Sequence, residues 1–173
     1  MNDHLPHLSL SEGAGDWVVL KTGPRCEKRV RGHCQFLDLP VYLPLLNKTH
    51  RYGGRVREFT SPLFPGYVFC IMPCDLRLAV LEHRHVVRIL EVADQAGLVN
   101  QLNIIEKALR SQELVEVMPF LQEGRRATVT SGPLRGVEGI VQRLKGGTRV
   151  VMNIDMIQQS VAVEVDAADL AAI

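Results

Sequence analysis

What this chain lacks removes several classes of function. No apolar run approaches the roughly 20 residues that a membrane-spanning helix needs, so nothing in it points to a membrane. Met1 to Gly15 carries neither a basic n-region nor an apolar h-region and does not read as a secretory signal. Residues 1–14 read as a frayed tail, and the expected compartment is the cytoplasm. No Ser-His-Asp arrangement, phosphate loop or paired-carboxylate site is legible, so the expectation is a non-enzyme that needs no cofactor. The cysteines are few, and the Cys70-x3-Cys74, Cys26 and His33-Cys34 spacings are unlike a zinc ribbon or knuckle. Cys26, Cys34 and Cys70 fall on apolar positions and read as reduced, buried thiols, with no metal expected.

Basic residues are also missing from one end. From Val150 to Ile173 there is no Lys or Arg against four acids, Asp155, Glu164, Asp166 and Asp169. Between Trp17 and Arg57 the balance reverses, with nine Lys or Arg against only Glu27 and Asp38. The overall charge of +1 therefore hides a split chain whose N-terminal half suits a polyanion or an acidic protein surface. The other half does not.

An apolar content of 46% supports real cores. Trp17 to Thr22 is an apolar run fit for a buried strand, ended by Gly23-Pro24. From Arg25 to Leu37, Cys26, Val30, Cys34 and Leu37 recur at helical spacing among Arg25, Lys28, Arg29 and Arg31. Pro40 to Leu46 reads as extended. Asn47 to Thr60 reads as a polar hairpin turning at Gly53-Gly54. Leu63-Phe64-Pro65-Gly66 then leads into a strand with Tyr67, Phe69 and Ile71 on one face and Val68, Cys70 and Met72 on the other. One face is expected to fill a core and the other to show aromatics to a partner. Asp75 is the expected cap of a helix carrying Leu76, Ala79, Val80 and His83. Val86 to Val92 reads as a strand and Gln101 to Gln112 as a helix.

After Glu113 the pattern changes. Residues 114–123, with Pro119, read as a linker, and the rest is strand-like: 126–130, 136–144, 149–155 and 160–165, broken at Gly132-Pro133 and Gly146-Gly147. The expected fold class is α+β. An N-terminal α/β sandwich over 15–113, a mostly antiparallel sheet flanked by helices, is followed by a small all-β barrel over 124–173.

These elements resemble the NusG family of transcription elongation factors. The resemblance rests on Trp17-Val18-Val19 with Lys21 and the basic helix, on Leu63-Phe64-Pro65-Gly66-Tyr67-Val68-Phe69, and on His85-Val86-Val87-Arg88-Ile89-Leu90. In the second half it rests on Gly124-Arg125-Arg126-Ala127-Thr128-Val129. Gly132-Pro133-Leu134-Arg135-Gly136-Val137-Glu138-Gly139-Ile140-Val141 looks like a KOW motif, which implies an SH3-like barrel.

The resemblance implies an N-terminal domain that docks an aromatic-lined depression on the clamp helices of the largest RNA polymerase subunit. That docking would hold the clamp closed over the DNA channel and suppress pausing. The matching anchors are Phe64, Pro65, Tyr67 and Phe69. Lys21, Arg25, Lys28, Arg29 and Arg31 stand where relatives run close to the non-template DNA strand of the transcription bubble. The KOW domain would bind Rho or a small-subunit ribosomal protein around Ile154, Met156 and Ile157. Housekeeping members follow that position with Gly-Arg, where this chain has Gln158-Gln159. The departure favours a specialised antitermination factor, and the expected state is a monomer. The alternatives are a housekeeping factor aiding Rho-dependent termination and a KOW-based module for ribosome or RNA.

Overall fold

The run Trp17-Val18-Val19-Leu20 forms β1 (Asp16–Thr22), and side chains on both of its faces are buried. A strand covered on both faces belongs inside a sheet. β1 pairs antiparallel with β5 (Tyr67–Met72) on one side and β6 (Val86–Glu91) on the other, and β2 (Val41–Tyr42) extends the sheet beyond β5. The order is β2-β5-β1-β6. The structure, a computed structural model, describes residues 15–52, 55–111, 115–119, 124–144 and 147–173. The expected tail at 1–14, the Gly53-Gly54 turn, residues 114 and 120–123 of the expected linker and Gly146 lie outside the described residues.

The helix read from Arg25 to Leu37 is α1 (Glu27–Phe36), which turns Glu27, Val30 and Cys34 inward. Val30 and Cys34 meet Val18, Leu20, Val68, Cys70 and Met72 of the sheet, with Val80 from α2 (Arg77–Leu81) closing the same core. Asp75 caps nothing. A 3-10 turn at Cys74–Leu76 follows Pro73 and runs directly into α2 without a side-chain cap. The hairpin forms as β3 (Leu45–Tyr52) and β4 (Arg55–Pro62), a separate two-stranded sheet.

The chain divides into two compact units, one ending at Gln95 and the other beginning at Ala96. α3 (Gln95–Arg110) begins six residues before the expected helix and falls in the second unit except for its first residue. The sequence expectation placed residues 96–113 with the N-terminal domain. Gln95 itself is tied to β1: its Oε1 accepts from the Trp17 amide at 2.8 Å and its Nε2 donates to the Trp17 carbonyl at 3.0 Å. Leu98, Leu102, Ile105 and Ala108 make the buried stripe of α3.

The second unit carries a six-stranded antiparallel sheet. It contains β7 (Val115–Pro119), β8 (Arg125–Val129), β9 (Glu138–Leu144), β10 (Gly147–Ile154), β11 (Gln159–Val165) and β12 (Leu170–Ala172), in the order β12-β8-β9-β10-β11-β7. β7 lies inside the expected linker, where it pairs with β11 from Val115↔Val163 to Pro119↔Gln159. The Ser131–Gly136 turn is stitched by Gly136 N–H to Val129 O at 2.7 Å and Arg135 N–H to Gly132 O at 3.2 Å. Gly132 and Gly136 take φ of +74° and +82° there, a region that non-glycine residues visit at a cost.

Candidate functional site: an aromatic turn beside a basic pole

The turn before β5 is fixed by backbone groups. Leu63 N–H donates to Pro44 O at 2.8 Å, Tyr67 N–H to Phe64 O at 3.2 Å and Thr22 N–H to Gly66 O at 2.9 Å. Gly66 has φ of +85°, which explains the glycine after Pro65. Its N–H donates to Glu27 Oε1 at 2.6 Å, and Glu27 is only 4% exposed. A buried carboxylate on the first turn of α1 therefore bolts that helix to the turn. Sequence reading gave Glu27 no role.

Phe64 and Phe69 are fully buried, in an edge-to-face contact of 6.2 Å, and Phe69 also lies 6.4 Å from Tyr42. The register places Val19 beside Phe69 and Phe69 beside Tyr42, so the face expected to show aromatics is itself core. Of the four expected anchors, Pro65 is exposed and Tyr67 half-buried, and these two present the turn to solvent. Phe64 and Phe69 support it from beneath.

Cations gather at the same end of the sheet because β1 ends there while α1, β5 and β6 begin there. Lys21, at the end of β1, holds Nζ 4.0 Å from the centre of the Tyr67 ring, a cation–π contact. Arg88 on β6 is the cross-strand partner of Lys21 and is exposed. The row Arg88–Lys21–Tyr67 thus runs across three strands. A cleft of about 750 Å³ beside it takes Lys21, Arg25, Lys28, Lys48 and Pro65 into its walls. Arg25 adopts φ of 57° just before α1. Lys28 Nζ donates to the Thr60 carbonyl at 2.8 Å and hydroxyl at 2.7 Å, which ties α1 to β4. Arg29 is exposed on α1 and Arg31 half-buried, further along it. Lys48 and Arg88 were missed as site residues: their place depends on strand order, which the local pattern does not carry.

His33, His83 and His85 form a second cluster beside the pole. His33 and His83 stack at 4.4 Å, and His83 and His85 meet edge-on at 5.4 Å. Burial holds His83 below its ordinary value, with His33, His85 and Arg84 adding to the shift. His85 is also lowered, by burial first and then by the charges of Arg84 and Arg29. Among the described residues no three His, Cys, Asp or Glu side chains are disposed to hold a metal ion. No helix of the described residues is long and apolar enough to cross a membrane.

In the second unit, Ile154 and Ile157 are buried and Met156 is half-buried. Of the three expected contact residues, Met156 is the one with substantial surface. Gln158, after the 3-10 turn Asp155–Ile157, has φ of 52°, and its Nε2 donates to the Asp155 carbonyl at 2.8 Å. The left-handed form that glycine adopts freely is held here by a side-chain hydrogen bond.

This α/β unit, followed by an antiparallel β unit, belongs to a known class of transcription factors. Residues 15–118, more than half of the chain, match the family described as "Transcription termination factor nusG", and the chain belongs to the NusG family. NusG of Thermotoga maritima, from a structure on "domain interaction" in that protein, is similar in fold. Its TM-score is 0.54 at 16% identity, covering 91% of this chain and 97% of that one. The MjSpt4:Spt5 complex in conformation A aligns over 91% of this chain and 97% of that one at 11% identity, with a TM-score of 0.31 that supports no argument. No curated protein matches the chain.

Proposed function

We propose that the chain is an elongation and antitermination factor whose first unit binds the clamp helices of the largest RNA polymerase subunit. In this reading it closes the clamp over the DNA channel and suppresses pausing. The observation that carries the reading is the meeting of the Pro65–Tyr67 turn with the cations Lys21, Arg25 and Lys28 around one cleft. A protein helix and a nucleic-acid strand lie side by side in a transcribing polymerase, and one pole of this unit offers apolar and aromatic surface beside positive charge. Protein docking draws affinity from a few aromatic anchors on a preformed surface. Here Tyr67 and Pro65 supply the contact, while Phe64 and Phe69 hold the turn rigid. Lys21, Arg25, Lys28, Arg29 and Arg31 follow the non-template strand through its phosphates, without reading bases.

The second unit recruits Rho or a small-subunit ribosomal protein through the Asp155–Ser160 turn, with Met156 leading the contact and Ile154 and Ile157 shaping it. Gln158-Gln159 at this turn supports a specialised factor over a housekeeping one.

The test is single-round transcription with the cognate polymerase on a template carrying a pause and a Rho-dependent terminator, with and without the protein and Rho. Faster pause escape with read-through is expected. Unchanged elongation with enhanced Rho release would overturn the antitermination reading in favour of a housekeeping role. No effect on either would point to the ribosome.

A further inference from the structure

The cleft beside the Pro65–Tyr67 turn holds more than charge. Its described walls carry four cations, Lys21, Arg25, Lys28 and Lys48, against one acid, Glu27, whose Oε1 is committed to the Gly66 N–H. Among the described residues none of the four cations pairs with a carboxylate. Lys28 Nζ donates to the carbonyl and hydroxyl of Thr60, both neutral, so its position is fixed while its charge stays uncompensated. Lys21 Nζ is likewise held over the neutral Tyr67 ring. Phosphates passing along a surface need only that charge. They make no use of a hollow of about 750 Å³, which is the size of a small-ligand site.

The rest of the lining is not ionic. Pro24, Pro62 and Pro65 bring three rigid apolar rings to the walls. Ser61 lines the same cleft, and its Oγ is buried without a hydrogen-bond partner. Buried hydroxyls are nearly always paired, so an orphan in the wall of a cleft is an atom that a ligand would satisfy. A ligand that answers all three features carries an anionic group, a flat apolar body and a polar edge. We propose that the cleft seats one unstacked nucleotide. Its phosphate lies among Lys21, Arg25 and Lys48, its base lies against the prolines, and a polar atom on the base edge bonds Ser61 Oγ. The cations themselves read no base; the cleft between them admits one. The nucleotide comes either from a single strand or as a free nucleotide, and both present the same chemistry. The strand source rests on the nucleic-acid reading of the pole, whereas the nucleotide seat does not.

The experiment measures binding of the full chain to a short oligothymidylate and to an abasic strand of equal length, at one fixed salt concentration. Both strands carry the same phosphates, and only the first carries bases. The oligothymidylate should bind severalfold tighter, and Ser61→Ala should remove that advantage. Lys48→Ala should weaken both strands alike. Ser61→Ala discards an unpaired buried hydroxyl, so the urea midpoint read at Trp17 should not fall, which separates a lost contact from a lost fold. Thymidine monophosphate alone, added to isotope-labelled protein, should move the amide resonances of Thr22, Ser61 and Gly66. Equal affinity for the two strands, an advantage kept in folded Ser61→Ala, or cleft amides unmoved by the monophosphate would overturn the proposal. Monophosphate shifts at those amides, with neither strand bound, would uphold the seat, assign it to a free nucleotide and overturn the strand reading of the pole.

Discussion

Replacing Glu27 by Ala should loosen the functional turn and the first unit together. Glu27 is 4% exposed, and its Oε1 accepts the Gly66 N–H at 2.6 Å across 39 residues of sequence. A hydrogen bond to a charged group contributes about 1.5–3 kcal/mol, and a buried donor left without a partner costs about 1–3 kcal/mol. These are two views of one loss, so the expected destabilisation is about 2–3 kcal/mol. For a unit of this size that lowers the melting temperature by roughly 10–20 °C. Glu27→Gln keeps an acceptor oxygen of the same reach and should cost about 1 kcal/mol. Trp17 is the only tryptophan in the chain and is 1% exposed on β1, so its fluorescence reports the first unit selectively. Urea unfolding followed at Trp17 should show the midpoint fall in the order wild type, Gln, Ala, with little change in slope. An Ala variant with the wild-type midpoint would refute the bolt. If Ala and Gln fell equally, the charge and not the connection would be the stabilising element.

Protonation of His83 should destabilise the first unit. The folded His83 sits below its ordinary 6.5, mainly through burial, so the unfolded chain binds more protons as pH falls through that value. Stability is then full above about 6.5 and is lost on acidification; His83→Gln should flatten the dependence of the urea midpoint on pH, and an equally steep dependence would exclude His83 as its source. Gly139→Ala should disrupt the β8-β9-β10 region, because the added Cβ would lie 2.5 Å from Val150 Cγ1 and 2.6 Å from Val151 O. Circular dichroism melting should show a loss of about 2 kcal/mol or more. Changing Arg25, Lys28 and Arg29 together to Ala should weaken retention on the elongation complex and flatten its log–log salt slope by about 2. A loss independent of salt would mean misfolding instead.

The elements legible in the sequence were those whose signal is local. β1, α1, β5, β6 and the four central strands of the second unit stand close to their expected spans, because their periodicity comes from their own side chains. What the sequence did not carry is tertiary. β7 is short, ends at Pro119 and becomes a strand by pairing with β11, so its own residues read as a linker. α3 starts at Gln95, before the apolar stripe used to find it, and Gly97 sits in its first turn, where propensity argues against a helix. Alternation along β5 separated its two faces but could not say that both are covered; Phe64 and Phe69 were offered as anchors by the family resemblance, and both are buried. Glu27 looked like any solvated helical carboxylate, since its partner is a backbone amide far along the chain. The sequence separated the charge of its two halves, but gathering Lys21, Lys48 and Arg88 at one pole required the strand order.

The position of β1 also sets how this protein must be made. β1 is the first strand among the described residues, yet in the sheet it lies between β5 and β6, the second of which ends at Glu91. During synthesis the run Trp17-Val18-Val19-Leu20 emerges before both of its partner strands and waits for two much later segments to leave the ribosome. Non-local pairing of this kind slows folding, and an unpaired apolar strand is prone to join the wrong edge while it waits. Assembly of the first unit is therefore timed by the arrival of its last strand, and truncation before Glu91 should leave a chain that aggregates.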